Sequence, residues 1–228
     1  MIPTLIVPTL SKYDLLAEMI ASIDHPIGHA IVIDNGGSCP DLRSDMIGRI
    51  SILRMPNNLG VAASWNLGIQ LSPDSDRWLI VNDDITFISD GLRRLSEADP
   101  DALIQDWRMS PRWSCFLLPE QAVRTVGLFD DYYWPGMGEE RNYAHRCASA
   151  EISMKHLPKW YEHQGGATRM EMRGWRSWTE RHIRLSATTS IVGWNLNYRR
   201  EMGAYLNGGP EIQATSDSLQ PEITGVTR

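Results

Sequence analysis

No glycine-rich phosphate loop of the GxGxxG or Walker kind occurs in the chain, which argues against P-loop and dinucleotide chemistry. No apolar run reaches transmembrane length. The opening run stops at Pro8 and has no basic segment before it, so neither a signal peptide nor stable membrane insertion is expected. Cysteine is scarce: Cys39, Cys115 and Cys147 are odd in number and widely spaced, without the pairing of a zinc site or a disulfide framework. A reduced, cytoplasmic setting follows as the expectation. Positive charge is in deficit too. Lys and Arg number 22 against 28 Asp and Glu, a net charge of -6, the wrong sign for a general binder of phosphate backbones. One stretch departs from this balance: 169–200 carries seven Arg and two Glu, interleaved with Trp175, Trp178, Trp194 and Tyr198. It reads either as aromatics packing a helical subdomain or as a face that meets an anionic or carbohydrate partner.

What is present is a sequence able to bury a core, with 42% hydrophobic and 22% charged residues over 228 positions. Leu5–Val7 reads as a strand ended by Pro8, followed by a helix capped by Ser11 with Leu15, Leu16, Met19, Ile20 and Ile23 at helical spacing. A second strand, Ala30–Ile33, runs into Asp34-Asn35-Gly36-Gly37, and a third, Ser51–Met55, into Asn57-Asn58-Leu59-Gly60 and a helix over Val61–Leu71. The fourth, Trp78–Val81, ends at Asn82-Asp83-Asp84. Uninterrupted apolar strands alternating with helices predict a mostly parallel α/β sheet covered on both faces, with ligands beyond the strands' carboxyl ends. The polar clusters at Pro8-Thr9, Asp34-Asn35 and Asn82–Asp84 should therefore converge on one crevice. Further along, Ser114–Leu118 reads as a strand, Pro119–Val126 as a helix stopped by Gly127, Glu140–Ala150 as a helix and Ile152–Leu157 as a strand. From Gly208 the sequence is polar and free of aromatics, the composition of a mobile tail.

Paired carboxylates past a buried strand repel one another unless something positive lies beside them, so Asp83 and Asp84 read as a site for a hard divalent cation. Their other reading is a polar turn. His163, before Gly165-Gly166, is either an imidazole ligand or a structural histidine. Glu139 and Glu140 follow Pro135-Gly136-Met137-Gly138, where they either cap a helix or supply a general base for a hydroxyl.

In their order, Pro8-Thr9, Ile33–Gly36, Asn57–Gly60 through Asn66-Leu67-Gly68, and Val81–Asp84 resemble the donor half of family 2 glycosyltransferases. Gly127–Asp131, Gly138–Glu140 with Asn142 and Arg146, and Glu162–Gly166 resemble the acceptor-side motifs of the same family. The likeness spans roughly residues 2 to 168. It implies a GT-A fold with a nucleotide-sugar-binding half over 1–100 and an acceptor-side half over 101–168. A helical extension over 169–207 and a tail over 208–228 would follow. It implies that Pro8, Thr9, Asp34, Asn35, Asn58, Gly60, Asn66, Asn82 and Asp83 line the donor site, with Asp34 on the nucleobase and Asp83 on ribose or sugar. Asp84 and His163 would hold Mn²⁺ or Mg²⁺. Glu140 matches the base, with Glu139 its neighbour, and Trp134–Gly138 would frame sugar and acceptor. Asn82 stands where Asp opens the Asp-x-Asp motif, and Asn142 where a second Asp often follows the base.

The expected reaction is inverting transfer from a nucleoside-diphosphate sugar, a UDP-sugar on family grounds, to a hydroxyl of a carbohydrate, lipid-linked, protein or modified nucleic-acid acceptor. Two other readings stay open: a catalytically silent nucleotide-sugar or glycan-binding module, and a sugar nucleotidyltransferase. The missing glycine-rich loop after the first strand counts against the second.

Overall fold

The computed structural model describes residues 1–106 and 113–164. The first strand, β1 (Ile2–Thr9), leads to α1 (Tyr13–Ala21), β2 (Ile27–Asp34), β3 (Ile47–Arg54), α2 (Val61–Gln70) and β4 (Arg77–Val81). There follow β5 (Ile85–Phe87), α3 (Gly91–Ser96), β6 (Leu103–Asp106), β7 (Cys115–Pro119), α4 (Glu120–Val126) and a 3-10 turn over Asp131–Tyr133. The described part closes with α5 (Glu139–Ser149), β8 (Met154–Leu157) and β9 (Tyr161–His163).

Seven strands form one sheet in the order β3-β2-β1-β4-β7-β6-β8, parallel except for β7, which runs against both β4 and β6. A separate two-stranded sheet pairs β5 with β9. The expected mostly parallel α/β sheet is therefore present. Along β1 the side chains alternate between faces, so Leu5 and Val7 join Leu16, Met19 and Ile20 of α1 in one core. Ile6 joins Trp65 and Ile69 of α2, with Phe116, Phe129 and Tyr143, in the other. Trp65 meets Phe116 and Phe129 edge-on, with ring centroids 5.3 and 4.9 Å apart.

Several boundaries differ from expectation, each for a local reason. Pro8 does not end β1. Doubly paired positions are confined to Thr4–Ile6, so Pro3 and Pro8 fall where only the β2 ladder runs and a missing N–H costs less. Ser11 is not the cap of α1; Lys12 holds that position and no side chain caps the helix. Glu139, not Glu140, opens α5, and the strand expected from Ile152 starts at Met154. Gly127 does end α4, at φ +78. Residues 165–228 lie outside the described part, and with them Gly165, Gly166, the basic aromatic stretch, the helical extension and the tail.

Candidate active site

The carboxyl ends of β1, β2 and β4 lie side by side, because β1 pairs with both neighbours in parallel register. Thr9, the last residue of β1, donates its hydroxyl to Asp83 Oδ2 at 2.8 Å. That bond favours the carboxylate, but burial outweighs it, and the charge of Asp84 next door adds to the burial. The carboxyl of Asp83 is raised to about 7. Asn82, half-buried, continues the ladder by donating its N–H to the Ser114 carbonyl at 2.8 Å.

Asp84 and His163 are 79 positions apart and are joined by strands too short to read from sequence. The β5–β9 pairing sets Ile85 opposite His163, and the Gln164 N–H donates to the Asp84 carbonyl at 2.8 Å. His163 Nε2 consequently lies 3.3 Å from Asp84 Oδ1, both side chains about 95% buried. A carboxylate oxygen and an imidazole nitrogen suit a hard or borderline divalent ion. Two adjacent ligands of an ion such as Mg²⁺ stand about 3 Å apart, so the pair fits one. Among the described residues no group of three His, Cys, Asp or Glu gathers to hold a metal. An ion here would complete its shell from substrate phosphate and water, as Mg²⁺ does elsewhere.

The loop leaving β2 is tightly closed on itself. Asp34, with no exposed surface, accepts at Oδ1 from the Gly36 and Gly37 N–H groups and the Tyr13 hydroxyl, and at Oδ2 from the Cys39 N–H, all at 2.8–3.1 Å. A carboxylate has about four acceptor sites. With these four donors the Asp34 carboxylate organises the loop. Asn35 likewise accepts from the Leu59 N–H at 2.8 Å and donates to Ser64 Oγ at 3.0 Å, tying β2 to α2. Asn66 braces the Phe129 backbone in both directions at 2.9 Å. Pro8, half-buried opposite Ile33, supports the adjoining loop.

The acceptor-side segment rests on the start of α2. Asn58 accepts the Gly60 N–H at Oδ1 and the Trp134 indole N–H at its carbonyl, and Val61 N–H donates to the Pro135 carbonyl. Gly60 sits at φ +79, and a Cβ there would stand 2.6 Å from Trp134 Cδ1. Only glycine allows this approach. The chain then turns through Met137 and Gly138, both at positive φ, into α5. Glu140, half-buried, takes the Gly138 N–H on Oε2 at 2.8 Å, so the capping geometry is real. Glu139 is buried, with Oε2 lacking a hydrogen-bond partner among the described residues. Burial first, then the charge of Glu140, raises its carboxyl well above the usual range, against backbone N–H groups of Glu139 and Met137. Sequence reasoning missed Tyr13 and Ser64, whose partners lie 21 and 29 positions away in the chain.

Solved structures match this fold over most of the chain. TarS from S. aureus aligns over 91% of this chain and 71% of its own at 13% identity, TM-score 0.55, and was also solved with UDP-GlcNAc. The catalytic domain of Drosophila β1,4-galactosyltransferase 7 with xylobiose aligns over 83% and 81% at 14% identity, TM-score 0.54. This is the GT-A fold. No family model and no curated protein matches the sequence. Thr9, Asp83 and Asp84 lie at the carboxyl edge of the parallel strands, the edge at which open α/β sheets in general hold ligands.

Proposed function

We propose that the chain is a glycosyltransferase that moves a sugar from a nucleoside-diphosphate donor, with a UDP-sugar favoured, to an acceptor hydroxyl with inversion. The observation that carries this reading is the approach of His163 to Asp84 beside the Thr9–Asp83 bond. A mutant of the Drosophila relative in fold was solved with manganese, UDP-Gal and xylobiose, which supports the same ligand class.

Asp84 and His163 would hold Mn²⁺ or Mg²⁺, which when bound offsets the charge growing on the departing diphosphate. Thr9 and Asp83 are set to receive ribose or sugar hydroxyls. The acceptor oxygen attacks the anomeric carbon as the bond from that carbon to the diphosphate oxygen breaks. Glu140 takes the acceptor's proton, its rotamer held by the Gly138 N–H. Trp134, fixed on Asn58, forms a flat apolar wall suited to the C–H face of a sugar.

Glu140→Gln keeps the shape and removes the proton affinity. Transfer should fall by roughly 10²–10⁴-fold while UDP binding is retained. If Glu139→Gln is the damaging change and Glu140→Gln is harmless, the base is Glu139. A catalytically silent binding module is the second reading, favoured by Asn82 at the motif's first position. Tight UDP-sugar binding in Mn²⁺ with neither transfer nor hydrolysis would establish it.

A further inference from the structure

We propose that Tyr13 and Asp34 form a latch that presets the nucleobase pocket, so that the base is read by a rigid loop and not by the Asp34 carboxylate. This rests on the donor reading above and deepens it. The loop over 34–39 is held from three sides. From α1, the Tyr13 hydroxyl donates to Asp34 Oδ1 at 2.9 Å and accepts the Ser38 N–H at 3.2 Å. From within, Asp34 gathers the N–H groups of Gly36, Gly37 and Cys39. From β3, Arg54 donates to the Cys39 carbonyl at 2.8 Å. Gly36 is packed so closely that a Cβ would stand 1.8 Å from the Leu10 carbonyl oxygen and 2.4 Å from the Tyr13 hydroxyl. The loops after β1 and β2 are thus one unit.

Position gives this unit its role. The loop leaves β2, two strands from the β4 end that carries Asp83 and Asp84. Two interstrand spacings are about 10 Å, the reach of a nucleoside between its ring and its diphosphate. A diphosphate at Asp84 and His163 with its ribose at Thr9 and Asp83 therefore brings the ring against the latched loop. A loop already ordered does not have to be ordered by the ligand, and that lowers the cost of binding.

Tyr13→Phe removes one hydroxyl with little change of shape, and Asp34→Asn sets an amide N–H against the Cys39 N–H. Affinities for UDP, CDP and inorganic pyrophosphate would be measured by calorimetry in Mn²⁺ for both variants and the wild type. The latch predicts that UDP and CDP weaken together by roughly 5- to 10-fold in Tyr13→Phe, while pyrophosphate, which engages only the metal end, is unchanged. Equal weakening of pyrophosphate would show a merely structural role and overturn the proposal. So would a tenfold or larger swing of Asp34→Asn toward CDP, because a carboxylate that reads the uridine N–H becomes, as an amide, a reader of the cytidine ring nitrogen. Should Asp34→Asn fail to fold, Tyr13→Phe decides alone. A wild type that binds no nucleoside diphosphate sinks the donor reading and the latch with it; the other adverse outcomes sink only the latch.

Discussion

Two adjacent glutamates at the head of α5 have opposite environments, and that difference divides their chemistry. Glu140 is half-buried and held by one backbone N–H, whereas Glu139 is buried beside Gly136 and holds its proton unusually well. A carboxyl raised in the folded state binds its proton more tightly there than in the unfolded chain. Its contribution to stability is complete below the ordinary carboxylate range and is lost as pH rises through the raised folded value. Each pH unit of that window is worth about 1.4 kcal/mol for one proton. Glu139→Gln keeps a neutral group in place at every pH. Its stability relative to wild type should accordingly improve as pH climbs from about 5 towards 8 in urea titrations. A difference that stays flat over that range would mean that Glu139 ionises as readily in the folded protein as in the unfolded chain, and its assignment as the proton-holding neighbour of the base would fail.

Packing between elements explains which parts of the fold could be read from the chain. β1, β2 and β4 were legible because burial on both faces makes them continuous apolar runs, and α2 because Trp65 and Ile69 share one stripe. β5 and β9 have three residues each, too few to show a period, yet they alone bring His163 to Asp84. The approach of His163 to Asp84 was therefore legible only through motif order. The bonds of Asn66 to Phe129 were not legible for a related reason: a side chain on α2 can face a ligand or a neighbouring loop, and these bonds depend on the packing of Phe129 against Trp65. Asn66→Ala removes both bonds to Phe129 and leaves a backbone N–H unsatisfied. The cost should be about 2–4 kcal/mol in denaturant unfolding, with UDP affinity of the folded protein within twofold of wild type. A large loss of UDP affinity at unchanged stability would return Asn66 to the donor site.

Across the whole molecule, the site is assembled from groups that the folded chain alone brings together: Thr9 with Asp83, Asp84 with His163, and the segment of Trp134 and Glu140 on the start of α2. None of these pairs is local in sequence, so an unfolded chain offers the nucleotide no comparable site. A ligand that binds only the native state raises stability by mass action, about 2.7 kcal/mol at a concentration of one hundred times Kd. For a domain of this size that corresponds to roughly 5–10 °C in Tm. UDP with Mn²⁺ should give such a shift. UDP with EDTA should give much less, since two adjacent carboxylates then face the diphosphate without an intervening cation. Asp84→Ala should lower the Mn²⁺-dependent part of the shift, while in EDTA its shift should be no smaller than that of the wild type, because the change removes one of the two repelling carboxylates and not the wall of the base pocket. His163→Ala should likewise lower the Mn²⁺-dependent part, as the other half of the pair. Identical shifts with Mn²⁺ and with EDTA, in wild type and Asp84→Ala alike, would remove the metal from the site and leave the 3.3 Å approach of His163 to Asp84 as a structural contact.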